Sequence, residues 1–148
     1  MARSHLTLAA LATSAVAGLD VVGTAGFGST THGEFDSALI TGRDGRHWII
    51  RVPRSEAAEA EQSADLVALR ALSTGVRSRL PFAVSTFAGQ TPIDGTRAVV
   101  YEFVYGSKVG LGDLHGRSDL AASIGRAIAA IHSLPTSFVA DAGLPVLT

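Results

Sequence analysis

Gly26-Phe27-Gly28 is the first place in the chain where residue type and spacing could do chemistry. Glycines that close together let backbone amides approach an anion with no Cβ in the way, so the tripeptide can belong to a loop that holds phosphate. A dinucleotide fingerprint needs a strand, then the glycines, then a helix whose N-terminus receives the pyrophosphate. Here residues 35–41 follow, with the character of a second strand. Strand, glycine turn and strand instead suit a loop that folds over the phosphates of a nucleotide, although a hairpin with spare glycines would read the same way.

The other reactive side chains form no constellation. His132 closes a helix, where the dipole favours it and the last carbonyls can accept from it, and no Ser/Asp pair stands at a spacing that would make it a catalytic base. His5, His32, His47 and His115 are scattered without metal-ligand spacing. There is no cysteine, so disulfides, thiolate zinc and a cysteine nucleophile are excluded and a reducing cytoplasm is the expected home. Twelve basic residues stand against 13 acidic ones with no basic run, which argues against a nucleic-acid partner.

The elements that must position these residues follow from pattern. Leu8, Leu11, Ala15 and Leu19 recur at helical spacing, which favours an amphipathic helix packed on a core. The same run, Arg3 followed by apolar residues and Ala15-Val16-Ala17, imitates a signal peptide and keeps open the reading of a small exported α+β protein. It is too short and too polar to span a membrane, and no membrane partner is expected. A short strand over residues 19–23 then enters a glycine-rich turn over 23–29. Residues 35–41 and 47–52 read as strands joined by a turn containing Asp44-Gly45. Pro53 stops the second, and Ser55 N-caps a helix from residue 56 to about 72 whose apolar stripe is Leu66, Leu69 and Leu72. Residues 81–88 and 97–104 read as a second hairpin turning at Asp94-Gly95. A glycine-punctuated connector leads to a helix marked by Leu120, Ile124, Ile128 and Ile131, and the last dozen residues show no clear element. This order predicts an α+β layout, an antiparallel sheet with a helix packed on it.

Taken in succession, Gly26-Phe27-Gly28, Trp48-Ile49-Ile50-Arg51-Val52-Pro53-Arg54, the acidic helix, Val99-Val100-Tyr101-Glu102-Phe103-Val104-Tyr105-Gly106 and the run from Ile124 to Ile131-His132-Ser133-Leu134 resemble the aminoglycoside/macrolide phosphotransferase family. The run from Trp48 to Arg54 looks most like its macrolide branch. The resemblance implies a kinase-like N-terminal, nucleotide-binding lobe over residues 1–104, a hinge and connector over 105–118, and the first helix of a C-terminal lobe over 119–148. It implies ATP or GTP as the phosphoryl donor, magnesium held by residues outside this chain, and a macrolide or aminoglycoside acceptor whose pocket belongs to the remaining lobe.

Carried over by position, Gly26, Phe27 and Gly28 would sit in the phosphate-covering loop, and Arg51 falls where the family bears its phosphate-pairing lysine. The Tyr101 carbonyl and the Phe103 amide would bond the purine edge. Arg51 shares a strand face with Ile49, and its expected partner is an acid on the following helix, Asp65 first and Glu61 second. Thr31 stands where kinases have a third glycine, and the only lysine, Lys108, lies in the connector. Arginine keeps the charge but is longer and planar.

Phosphoryl transfer also needs a catalytic aspartate, an asparagine shortly after it and a magnesium-holding aspartate. After His132 only Asp141 remains. The expectation is a catalytically incomplete fragment with exposed apolar surface on its last long helix. The rival is a non-catalytic, pseudokinase-like nucleotide-binding module that acts by binding a partner.

Overall fold

The computed structural model describes residues 2–27, 33–107 and 109–144. Gly28, Thr31, His32 and Lys108 lie outside them. The chain divides into two compact units, one made of residues 1–66 and 85–103, the other of residues 67–84 and 104–148. Residues 67–84 therefore group with the C-terminal part of the chain and not with the rest of residues 1–104.

The first unit is built on five antiparallel strands in the order β1-β2-β3-β5-β4. They are β1 (Val21–Gly26), β2 (Phe35–Gly42), β3 (His47–Pro53), β4 (Phe87–Ile93) and β5 (Thr96–Glu102). Two Asp-Gly turns close its hairpins. At the second, both Asp94 (φ 47°) and Gly95 (φ 77°) adopt the left-handed conformation that a tight two-residue hairpin requires. Two strand expectations shift. Gly23 to Gly26, expected as a turn, pair with Thr41 to Ala38 as the edge strand β1. The fourth strand runs over residues 87–93 instead of 81–88, with Pro92 tolerated because β4 is the opposite edge.

Alternation of side chains across β2, β3 and β5 gives the sheet two different faces. Ala38, Ile40, Trp48, Ile50, Val52, Ala98 and Val100 point to one of them and are buried. Helix α1 (His5–Ala15) covers that face, capped by the Ser4 hydroxyl at the Thr7 amide, with Leu8 and Ala12 sealed inside. The segment that imitates a signal peptide thus packs against the sheet. Its entry is clamped by the buried Asp36 carboxylate, which takes Arg3 at 3.0 Å and Arg54 at 3.6 Å.

Helix α2 (Glu56–Ala71) begins in the first unit, with the Ser55 hydroxyl accepting from the Ala58 amide. Ala58 and Gln62, both 1% exposed, form its buried side, whereas Glu61 and Asp65 are exposed. The expected stripe of Leu66, Leu69 and Leu72 is only half-buried.

In the second unit α2 ends in a wide turn, Leu72–Val76, broken at Gly75 (φ 121°). Short helices α3 (Leu111–Leu114) and α5 (Thr136–Asp141), which no pattern had announced, flank α4 (Ser118–His132). No residue of α4 is buried: Ile124, Ile128 and Ile131 are 37%, 48% and 47% exposed.

Candidate functional site

The sheet face away from α1 carries the residues singled out by the sequence. Strand parity places Ile49 and Arg51 of β3 beside Tyr101 and Val99 of β5, in the pairs Ile49↔Tyr101 and Arg51↔Val99. Phe27 closes β1, and its ring meets Phe103 edge to face at 6.3 Å, while Phe103 lies 6.2 Å from the His47 ring. One region of this face is thus aromatic and apolar, and another is cationic, with Arg51 and Arg97.

Arg51 does not meet the carboxylates expected of it. Among the described residues no carboxylate oxygen comes within 4.0 Å of its guanidinium, and Asp65 and Glu61 stay in solvent. Its guanidinium lies 4.0 Å above the Phe35 ring instead. The link from α2 to β3 is a neutral one, in which the Gln62 Nε2 donates to the Arg51 carbonyl at 3.2 Å. Asp65 lies on the same side of α2 as Ala58 and Gln62 but is exposed, so pairing it with Arg51 would have to offset the loss of its hydration.

Arg97 donates to the Ser63 hydroxyl at 2.6 Å, and its buried Nε, like the buried Gln62 Oε1, has no partner among the described residues. Sequence reasoning missed Gln62, Arg97 and Phe35. The period-two pattern that aligned Ile49 with Arg51 would also have aligned Arg97 with Val99 and Tyr101.

The two purine-edge groups are differently placed. The Phe103 amide donates to the His47 carbonyl at 3.1 Å, so it extends the β3–β5 ladder and does not stand open to a base. In an antiparallel ladder the main-chain groups of residues two apart point the same way, which turns the Tyr101 carbonyl toward β3 as well. Glu102, in between, bonds toward β4, its amide to the Thr86 carbonyl at 2.8 Å and its carbonyl accepting from Ser85 Oγ at 3.2 Å.

The Tyr101 phenol reports the electrostatics of this face. Burial pushes it above the ordinary tyrosine range; Arg51 pulls it back, Asp65 adds to the rise, and the Gln62 amide and Arg97 lower it. The neutral phenol is therefore favoured by folding. Its contribution is fully present below the ordinary value of 10.0 and is lost as pH rises through the higher folded value. Denaturation curves collected across that alkaline range should show stability falling, and Tyr101→Phe should flatten the decline. An unchanged decline in the variant would assign it to another group.

Two clefts of the first unit lie elsewhere. One, of about 410 Å³, lies at the end of α1, between Leu19 and Trp48, and the other, of about 550 Å³, surrounds Asp36. Their arginines are already paired with carboxylates, Arg43 with Asp20, Arg46 with Glu102, Arg3 with Asp36 and Asp94, and Arg54 with Asp36. Among the described arginines of the first unit only Arg51 and Arg97 have no carboxylate oxygen within 4.0 Å.

This architecture, an open antiparallel sheet with a cation on the third strand and a helix after it, has the α+β fold of a kinase-like N-terminal lobe. It is similar to a macrolide 2'-phosphotransferase type I, at TM-score 0.60 and 24% identity over 97% of this chain and 48% of that one. It is similar also to the apoenzyme of macrolide 2'-phosphotransferase MphH from Brachybacterium faecium, at TM-score 0.68 and 20% identity over 98% of this chain and 48% of that one. A third likeness is to the GDP complex of a mutant aminoglycoside 2'-phosphotransferase, at TM-score 0.64 and 17% identity over 97% of this chain and 45% of that one. At such identities the likeness is one of fold, and the chain spans about half the length of these solved proteins. No protein-family model and no curated protein matches the chain.

Proposed function

We propose that this chain is the nucleotide-binding lobe of an antibiotic phosphotransferase that moves the γ-phosphate of ATP or GTP to a hydroxyl of a macrolide or an aminoglycoside. The observation that carries the reading is Arg51, a half-buried cation on the third strand whose charge no carboxylate among the described residues neutralises. Leaving such a charge without a counter-ion is costly unless an anionic ligand supplies one. Phe27, Phe103 and His47 offer stacking surface on the same face, suited to a base. The likeness to phosphotransferases, one of them solved with GDP, supports the same substrate class.

The chain contributes binding and not transfer. It contains no asparagine at all, so the aspartate-to-asparagine run of kinase chemistry has no counterpart in it. Among the described residues no group of three His, Cys, Asp or Glu side chains could hold a metal, and no step is assigned to magnesium. Among the same residues no helix is long and apolar enough to cross a membrane, and the reading places the lobe in the cytoplasm.

Titration of the chain with ATP and GTP, followed by nuclear magnetic resonance, should move the resonances of Arg51 and Phe27. Incubation with labelled nucleotide and a panel of macrolides and aminoglycosides should yield no phosphorylated antibiotic. Nucleotide that leaves Arg51 undisturbed would overturn the binding face, and turnover by the chain alone would overturn its division of labour.

A further inference from the structure

Phe35 stands on β2 and Arg51 on β3, in the register Phe35↔Pro53 and Ser37↔Arg51. Directly opposite Arg51 on β2 is therefore the small Ser37, and Phe35 is a diagonal neighbour on that face, within reach of a long residue. The guanidinium leans across and lies 4.0 Å above the ring.

A carboxylate in that place would occupy two donors and cancel the charge. An aromatic face does neither. It removes water from one side of the plane and leaves all five N–H donors, which point outward along the edge, to an anion. We infer that Phe35 is the positioning residue of Arg51, doing through its ring what an acid on α2 was expected to do, and that the occupant of the remaining edge is the polyphosphate of a nucleotide. This rests on the phosphate reading of Arg51. It carries a consequence which that reading alone does not: the acids of α2 are dispensable for binding, and the ring of β2 is required.

The test follows the Arg51 Nε–H of this chain by nuclear magnetic resonance during titration with ATP and, separately, with inorganic tripolyphosphate. In the parent the resonance should lie upfield from the ring current of Phe35 and move on addition of either probe. Phe35→Leu should abolish the upfield displacement and weaken both probes by about three- to tenfold. Phe35→Trp should keep both properties, and Asp65→Asn and Glu61→Gln should bind within about twofold of the parent, as expected of surface changes. Phe35→Ile, which keeps a strand-forming side chain, replaces the leucine variant should that one not fold. A folded Phe35→Leu that binds as the parent does, beside an Arg51→Ala that binds less well, overturns the positioning role and leaves the phosphate role standing. Probes that leave Arg51 unmoved in the parent overturn both. An Asp65→Asn variant that loses affinity returns the role to α2.

Discussion

Arg51→Ala should weaken binding of ATP and of GTP by about ten- to a hundredfold. The guanidinium is the one described cation of β3, and a charge-assisted hydrogen bond contributes on the order of 1.5–3 kcal/mol, which corresponds to that range. Stability should change little. Because no carboxylate among the described residues depends on Arg51 for its pairing, truncation strands no buried charge there and removes the contact with Phe35. The effects of a substitution on folding and on ligand binding thus separate here, as they would not in a lobe built around a buried ion pair. Arg51→Lys should keep a good part of the affinity, since the charge remains, while losing the flat contact with the ring. A titration in which Arg51→Ala binds both nucleotides as the parent does would remove the phosphate role and force the site to be rebuilt around another cation, with Arg97 the next on that face.

Much of the scaffold was legible because its signals are local. Asp44-Gly45 and Asp94-Gly95 can each close a hairpin whatever the rest of the chain does, and the period-two run from Trp48 to Val52 could be only a strand with one buried face. The misread elements depend on neighbours. Gly23 and Gly26 have no side chain to signal a strand, and they are held in β1 by pairing with β2. On α2 the inner side is sealed early in the helix by the small Ala58 and by Gln62, whose bond to the Arg51 carbonyl no hydropathy pattern displays, while the leucines further along the same side are only half-buried. The contact with Phe35 was hidden for a similar reason, since it is diagonal and exists only in the register that sets Ser37 opposite Arg51. On α4 the pattern read true: its isoleucines share one side, and in this structure that side is exposed.

The largest loss of stability should come from a single methyl group, in Gly89→Ala. Gly89 lies in β4 next to a register shift against β5, and it is buried where the last turn of α1 crosses the strand. A Cβ at that position would stand 2.0 Å from the Ala15 carbonyl oxygen, 2.8 Å from the Ala15 carbonyl carbon and 3.3 Å from Val16 Cγ2. The obstacle is main chain, which cannot rotate away as a side-chain tip can, so either α1 lifts from the sheet or β4 shifts against β5. Lifting α1 uncovers Leu8 and Ala12, the residues that seal the face formed by Ile40, Trp48, Ile50 and Val100. Overpacking ordinarily costs about 1–3 kcal/mol, and a clash with backbone belongs at the upper end, which for a chain of this size lowers Tm by about 6–12 °C. Gly125→Ala is the matched control. Gly125 lies on exposed α4 with nothing within 4 Å of a new Cβ, so alanine there should leave Tm unchanged or raise it slightly by improving helix propensity. The comparison also decides what the first helix is for. If Gly89→Ala melts with the parent, α1 does not dock across β4 in solution, and the run that imitates a signal peptide would have to be read again as a segment with a role outside the core.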